Sequence, residues 1–584
     1  MRIIPQTRHH LLGDDELVLG TVAGDVLDQA EREATTDPDN SSIPRRTDAP
    51  LVRTPLVARQ RHMHIIGSNG SGKSRFMRSL IQQDIRDGRG VCVIDPHGTL
   101  CADLLGWLAN RPRLAKHRKV RYFDVGKGDN VLAFNPLQTD HPLSAHATAI
   151  RVADAIGRLF SDDELRHQPR TMEVLVALLI SLVEARRPLA DYPLFMNPRY
   201  RFNVAHIIDG LHNDATREQW RFLEKYKDNE FIEYVSSVSR RLYTLMANPI
   251  ISAIFSQTEQ TMDLRQAMDG GEILLFNLAD TALFDATSAQ LFGLLLISTL
   301  FADCKLRNTT RPFFLYLDEA HRFLGGGDIA KMFEEARKFG LHLVLAHQNL
   351  GQLRDAGERI FATVMNEAEI KTVFKIQEPE DAQYLVQLMF RNGLIDPGRV
   401  KDVLTKPTVV GYSIGTLNAW MNSQSEVKGS GTNSISGGAI SMLPDGDFLT
   451  GPTTVGQVQS NADTKLDSVA KGSASAKTSA ESLMPILEDR PSGTWPIEEQ
   501  VFMLADDISS LERQHGVVSV GGSLSVKFRA LDVPDEFTST AKRAAYLTQI
   551  HNDNPYLQPF KTHRLNIPDE QPKPPVVEPD DFLE

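Results

Sequence analysis

The stretch "MHIIGSNGSGKSRFMRSLI", Met63 to Ile81, restricts the folds open to this chain more than any other. Gly67, four further residues and then Gly72-Lys73-Ser74 fit the phosphate-loop spacing G-x-x-x-x-G-K-[ST]. The apolar run before it reads as a buried strand, and the residues after Ser74 read as a helix. A loop between strand and helix turns its backbone N–H groups and the helix N-terminus toward one anion. Gly67, Ser68, Asn69, Gly70, Ser71, Gly72, Lys73 and Ser74 are therefore the candidate nucleotide-binding residues. Lys73 is expected to reach the β- and γ-phosphates of ATP, and the Ser74 hydroxyl to ligate Mg²⁺.

The rest of the chain has the periodicity of an α/β protein. Apolar strands are expected at "VCVID" (91–95), "VRYFDV" (120–125), "EILLFNLA" (272–279), "FFLYLDEA" (313–320), "HLVLAHQ" (342–348) and "EIKTVFKI" (369–376). Helical segments separate them, which implies a mainly parallel sheet with crossover connections. Residues 137–268 show helical periodicity almost throughout and are expected to form an all-α insertion between two parts of the strand-bearing domain, 61–136 and 269–420. Residues 1–60 read as a mixed leader, 421–485 as a flexible Ser/Gly-rich insertion and 486–560 as a helix and hairpin completing the main domain. Residues 561–584, proline-rich and acidic, read as a solvated, disordered tail.

The formal charge of −12 argues against a protein that coats nucleic acid through bulk charge, but leaves room for a locally basic channel. The three cysteines, Cys92, Cys101 and Cys304, have no metal-site spacing and point to a reducing compartment. The N-terminus lacks the layout of a signal peptide. The apolar runs 174–183 and 291–302 fall short of the roughly 18 residues of a membrane span. A soluble cytoplasmic protein without membrane insertion is expected, at most peripheral to a membrane complex.

"FFLYLDEAHRF" places Asp318-Glu319 at the end of a buried strand. Beside a phosphate loop, Asp318 is the expected second Mg²⁺ ligand and Glu319 the group that orients or deprotonates the attacking water. "DEAH" also spells the box of one helicase family, but such enzymes carry a second motor domain with its own arginine-glycine motif, and no such motif follows residue 320. Gln348, just beyond the next strand, can sense the γ-phosphate or its water. On residues alone, Arg337 reads as an ordinary surface charge one turn from Glu334. Asp95 sits at a strand's carboxyl end, where open α/β sheets bind ligands, and His97 reads as a turn histidine.

The ordered motifs "RHMHIIGSNGSGKS", "VIDPHG", "FDVGKGDNVLAFNPL", "GGEILLFNLAD", "FLYLDEAHRF" and "EARKFGLHLVLAHQNL" resemble the HerA/FtsK superfamily of ring ATPases. Within it they look most like the type IV secretion coupling proteins that pump DNA in conjugation. The resemblance runs from about Arg61 to Ile414. It implies a RecA-like P-loop motor domain, a homohexameric ring around single- or double-stranded DNA, and ATP with Mg²⁺ at subunit interfaces. It also implies that Arg337, and more loosely Arg61, serve the neighbouring subunit's site. The acidic tail resembles those through which some coupling proteins find relaxase partners. Coupling proteins of the membrane-anchored kind begin with transmembrane helices that this sequence lacks. A soluble relative from a mobile element, a HerA-like motor of repair or defence acting with a nuclease, and a secretion or pilus-assembly ATPase that remodels protein are the readings left open.

Overall fold

The computed structural model describes residues 2–4, 16–22, 51–115, 118–139, 144–160, 169–259, 261–324, 327–390, 408–426, 471–488, 495–521, 525–531, 533 and 538–568. Its strands are β1 (Arg2–Ile4), β2 (Glu16–Val22), β3 (Leu51–Pro55), β4 (Met63–Ile66), β5 (Gly90–Asp95), β6 (Val120–Asp124), β7 (Asn130–Leu132) and β8 (Ile273–Asn277). They continue as β9 (Phe313–Leu317), β10 (Leu341–His347), β11 (Ile370–Val373), β12 (Thr408–Glu426), β13 (Lys471–Glu488), β14 (His515–Val520), β15 (Val526–Ala530) and β16 (Leu557–Pro559).

Twelve of these strands form one sheet in the order β1-β3-β2-β15-β14-β11-β4-β10-β9-β5-β8-β6. From β11 to β6 the neighbours are parallel. From β1 to β11 they are antiparallel. The parallel strands are predominantly apolar because both faces are covered. Their side chains alternate between two cores: Cys92, Ile94, Leu315, Leu317, Leu343 and Leu345 face one, and Val91, Val93, Phe314, Tyr316, Val344 and Ala346 the other.

Parts of residues 1–60, the stretch expected to be a leader, lie in the sheet. β1, β2 and β3 extend the sheet, with Phe528 opposite Val22 and Val18 opposite Arg53. Leu17, Leu19 and Val52 supply the apolar burial that anchors them. The turn-rich segment 34–50 lies outside the described residues.

Between β7 and β8 the described residues form helices, among them Ala145–Leu159, Pro169–Glu184, Asp228–Met246 and Leu264–Gly270. Their apolar faces share a core with the sheet: Val152, Leu178 and Leu242 belong to the same cluster as Leu315. The helix Ala286–Cys304 is long and apolar enough to cross a membrane, longer than the run expected from sequence, and 72% of its most apolar 18-residue window is buried. By compactness the chain divides into residues 1–395 with 501–584, and residues 396–500. In the second unit β12 and β13 pair antiparallel from Thr408↔Glu488 to Glu426↔Lys471. The described ends of the expected flexible segment 421–485 are thus backbone-paired, because ladder hydrogen bonds do not need apolar side chains. Residues 427–470 and 569–584, which hold the rest of that segment and most of the tail, lie outside the described residues.

Candidate functional site

Four strands deliver the candidate residues to one edge of the sheet. Residues Ile66 of β4 and His347 of β10 are register partners, as are Leu317 of β9 and Ile94 of β5. Parallel strands end on the same side, so Gly67, Asp318, Gln348 and Asp95 emerge together at the carboxyl edge.

The loop between β4 and the helix Lys73–Arg86 is held at both ends. The Gly67 amide donates to the His347 carbonyl at 3.3 Å, and the Ser68 amide to the Lys375 carbonyl at 2.8 Å. Gly70 and Gly72 have φ of 76° and 114°, left-handed values that favour glycine. Gly72 is the helix N-cap. The opposite wall is the chain segment before β14: the Gln514 amide donates to the Ser71 carbonyl at 2.8 Å, and a Cβ on Gly72 would lie 3.1 Å from the Gln514 Cα. Gln514 itself has φ of 67°. Lys73 is buried, and its ammonium donates to the carbonyls of Gly67 and, at 3.3 Å, Ser68. Burial lowers its pKa, while Glu319 and Asp318 oppose the shift.

The exposed Ser74 hydroxyl donates to Asp318 Oδ2 at 3.2 Å. Asp318 is 4% exposed, and its carboxyl is pushed up to about 6, first by burial and then by the charges of Asp95 and Glu319. Asp95, fully buried, accepts the His97 and Cys101 amides at 2.9 Å each and so shapes the turn before the helix Thr99–Ala109. Among the described residues no group of three His, Cys, Asp or Glu could hold a metal by itself. Two neighbouring oxygens within an acidic, buried wall instead suit Mg²⁺, which takes one or two protein oxygens and completes its octahedron with phosphate and water.

Glu319 has a left-handed backbone, φ 46° and ψ 48°, and is 6% exposed. Non-glycine residues held there cost about 1–3 kcal/mol and cluster at functional sites. Its Oε1 accepts the Gln348 side-chain amide at 2.9 Å. Gln348 therefore engages the carboxylate, a pairing that the sequence reading, which aimed it at phosphate or water, did not anticipate. The other contact missed is the Gln514 wall. Its one sequence signal is the turn before "GVVSVGG", which does not say what the turn packs against.

Arg337 is not brought to this edge. It is exposed in the 3₁₀ turn Ala336–Phe339, ahead of β10. Gln348 follows the other end of this seven-residue strand, about 20 Å away at 3.3 Å per residue. Among the described residues no ion pair engages Arg337, and Glu334, its expected partner, lies 3.8 Å from Arg359. Arg61, just before β4, sits at the same amino edge and pairs with Glu369 at 3.1 Å.

Residues 54–297 match the sequence profile described as "Helicase HerA, central domain". Residues 312–389 match "TraM recognition site of TraD and TraG". These matches bear out the resemblance to HerA/FtsK-type, TraD-like ATPases. No match is found among curated protein sequences. Among solved structures, the bacterial conjugative coupling protein TrwB lacking its first 70 residues is 12% identical, with TM-score 0.50, covering 91% of this chain and 95% of that one. The plasmid coupling protein TrwB in complex with ADP and Mg²⁺ is 11% identical, with TM-score 0.49 and coverage of 93% and 98%. VirB4 of Thermoanaerobacter pseudethanolicus is 13% identical, with TM-score 0.46 and coverage of 89% and 97%. The TrwB likeness at TM-score 0.50 supports the RecA-like P-loop fold.

Proposed function

We infer that this chain, HerA-like over residues 54–297 and TraD/TraG-like over 312–389, is an ATP-driven DNA translocase. The observation that carries the reading is the convergence of Lys73, Ser74, Asp318, Glu319 and Gln348 on one sheet edge, tied by the 3.2 Å and 2.9 Å hydrogen bonds. Loop amides and Lys73 bind the phosphates. Ser74 and Asp318 would hold Mg²⁺, which supplies charge neutralisation at the phosphates. Glu319, its Oε1 fixed by Gln348, accepts a proton from water as the water oxygen bonds to the γ-phosphorus. The bond from that phosphorus to the bridging oxygen breaks, and its electron pair leaves with ADP.

Arg337 lies about 20 Å from its own Gln348 along the strand, which supports a role in a neighbouring subunit's site. A ring, the expected homohexamer, satisfies this requirement for every copy. A guanidinium there offsets charge on the transferring phosphoryl oxygens. DNA is the proposed substrate, in conjugative transfer or another mobile-element process, with a relaxase or nuclease as partner. The charge of −12 favours one rival, an ATPase that remodels protein. Hydrolysis measured with and without single- and double-stranded DNA separates them. A translocase is stimulated, and its DNA affinity falls steeply with salt. Absence of stimulation at low salt supports the rival.

A further inference from the structure

The histidine of "DEAH" has no part in the scheme above, yet it faces its central carboxylate. Glu319 Oε1 is taken by Gln348, while Oε2 lies 3.4 Å from His321 Nδ1. Both atoms are buried, and among the described residues neither has a hydrogen-bond partner. Two complementary polar atoms enclosed this way are already within donor–acceptor distance, and contacts that are long or poorly aligned in ligand-free sites commonly tighten when substrate binds. Both residues stand on a short, constrained segment: Glu319 is left-handed, the 3₁₀ turn Ala320–Phe323 follows at once, and the Arg322 amide donates to the Glu319 carbonyl at 3.1 Å. The far end of the turn is fixed by the Gln290 side-chain amide, which donates to the Arg322 carbonyl at 3.0 Å.

We propose that His321 is a positioning residue for Glu319, its Nδ1–H closing on Oε2 while Gln348 holds Oε1. The inference rests on the reading of Glu319 as the group that activates water. With both donors engaged the carboxylate plane is fixed, and the second lone pair of Oε2 stays free to take the proton from water. Burial, Arg322 and His97 lower the His321 pKa against the pull of Glu319, and His347 stands near it on the β10 side. These influences favour the neutral imidazole, whose effect is that of a directed donor rather than a counter-charge.

The test compares three variants of the full chain in steady-state ATP hydrolysis and in nucleotide binding. His321→Ala removes the donor. His321→Asn returns an amide N–H near the Nδ1 position. His321→Gln places it near Nε2, away from Oε2. The expected result is a loss of about 10- to 100-fold in kcat for Ala, with ATP affinity and KM unchanged, substantial recovery with Asn and none with Gln. His321→Ala within twofold of wild-type kcat overturns the proposal, as does equal activity of the Asn and Gln variants. A fall in ATP affinity or folding for all three assigns His321 a structural role and overturns it too. Glu319→Gln run alongside keeps the premise separate: if that variant turns over like wild type, the reading of Glu319 fails whatever the histidine variants do.

Discussion

Removing the charge from Asp318 is expected to make the nucleotide-free protein more stable and inactive at once. The carboxyl is 4% exposed and raised to about 6 from an ordinary 3.8. A rise of about two units means that the folded state disfavours the ionised form by ~3 kcal/mol. For an acid raised on folding, this penalty is absent below the unfolded value, near 4, and complete above the folded value, near 6. Wild type therefore carries all of it at pH 8 and about half at pH 5. Asp318→Asn keeps the shape and an acceptor for the Glu319 amide, now 3.0 Å from Oδ1, and leaves Ser74 a partner. A gain of about 1–3 kcal/mol at pH 8 follows, since polar replacement of a buried carboxylate does not recover the whole term. The assay is thermal unfolding with chelator and no nucleotide, where the shift is on the order of a few degrees for a chain of this size. At pH 5 the gain should roughly halve. Adding Mg²⁺ and nucleotide should stabilise wild type far more than the variant. A variant less stable than wild type at pH 8, or a difference independent of pH, would refute the argument that burial beside Asp95 and Glu319 strains this carboxylate.

Lys73→Ala should lower nucleotide affinity, whereas Glu319→Gln should bind nucleotide normally and lose turnover; equilibrium binding set beside single-turnover hydrolysis distinguishes the two. Gly72→Ala should weaken nucleotide binding and cost about 1–2 kcal/mol of stability, because φ of 114° and the nearby Gln514 leave no relaxed place for a Cβ; chemical denaturation reads this directly. Arg337→Ala should bind ATP and be inactive, by about 10³- to 10⁵-fold where such arginines act in trans. Mixing it with Lys73→Ala protein should restore partial activity, since some interfaces then hold both intact residues, and full activity of Arg337→Ala alone returns the residue to an ordinary surface charge.

The phosphate loop was legible because its constraint is local. Left-handed backbone at Gly70 and Gly72 and a helix start at Lys73 need particular residues at fixed spacing. The buried parallel strands were legible because both faces are apolar, so "GVCVID" and "FFLYL" differ from everything around them. β2 and β3 were not, because nothing near them in sequence reveals that their partners include β15. Gln348 was identified from its place at a strand end, but its partner, Glu319, was not, since which side chains meet across two strand ends depends on register and rotamer. The same holds for His321, whose importance rests on one distance and two unpartnered atoms.

The wall that Gln514 makes against the phosphate loop has a consequence for the order in which the protein comes into being. During synthesis the loop, β9 and β10 are all present once residue 350 has been made. Gln514, the hairpin β14–β15 that closes onto β2, and β16, which pairs with β7, are not. The earliest strands wait for some of the last, as if the chain were laced from both ends. A nascent polypeptide thus carries Lys73, Asp318 and Gln348 for about a hundred and sixty codons before Gln514 arrives to brace the loop.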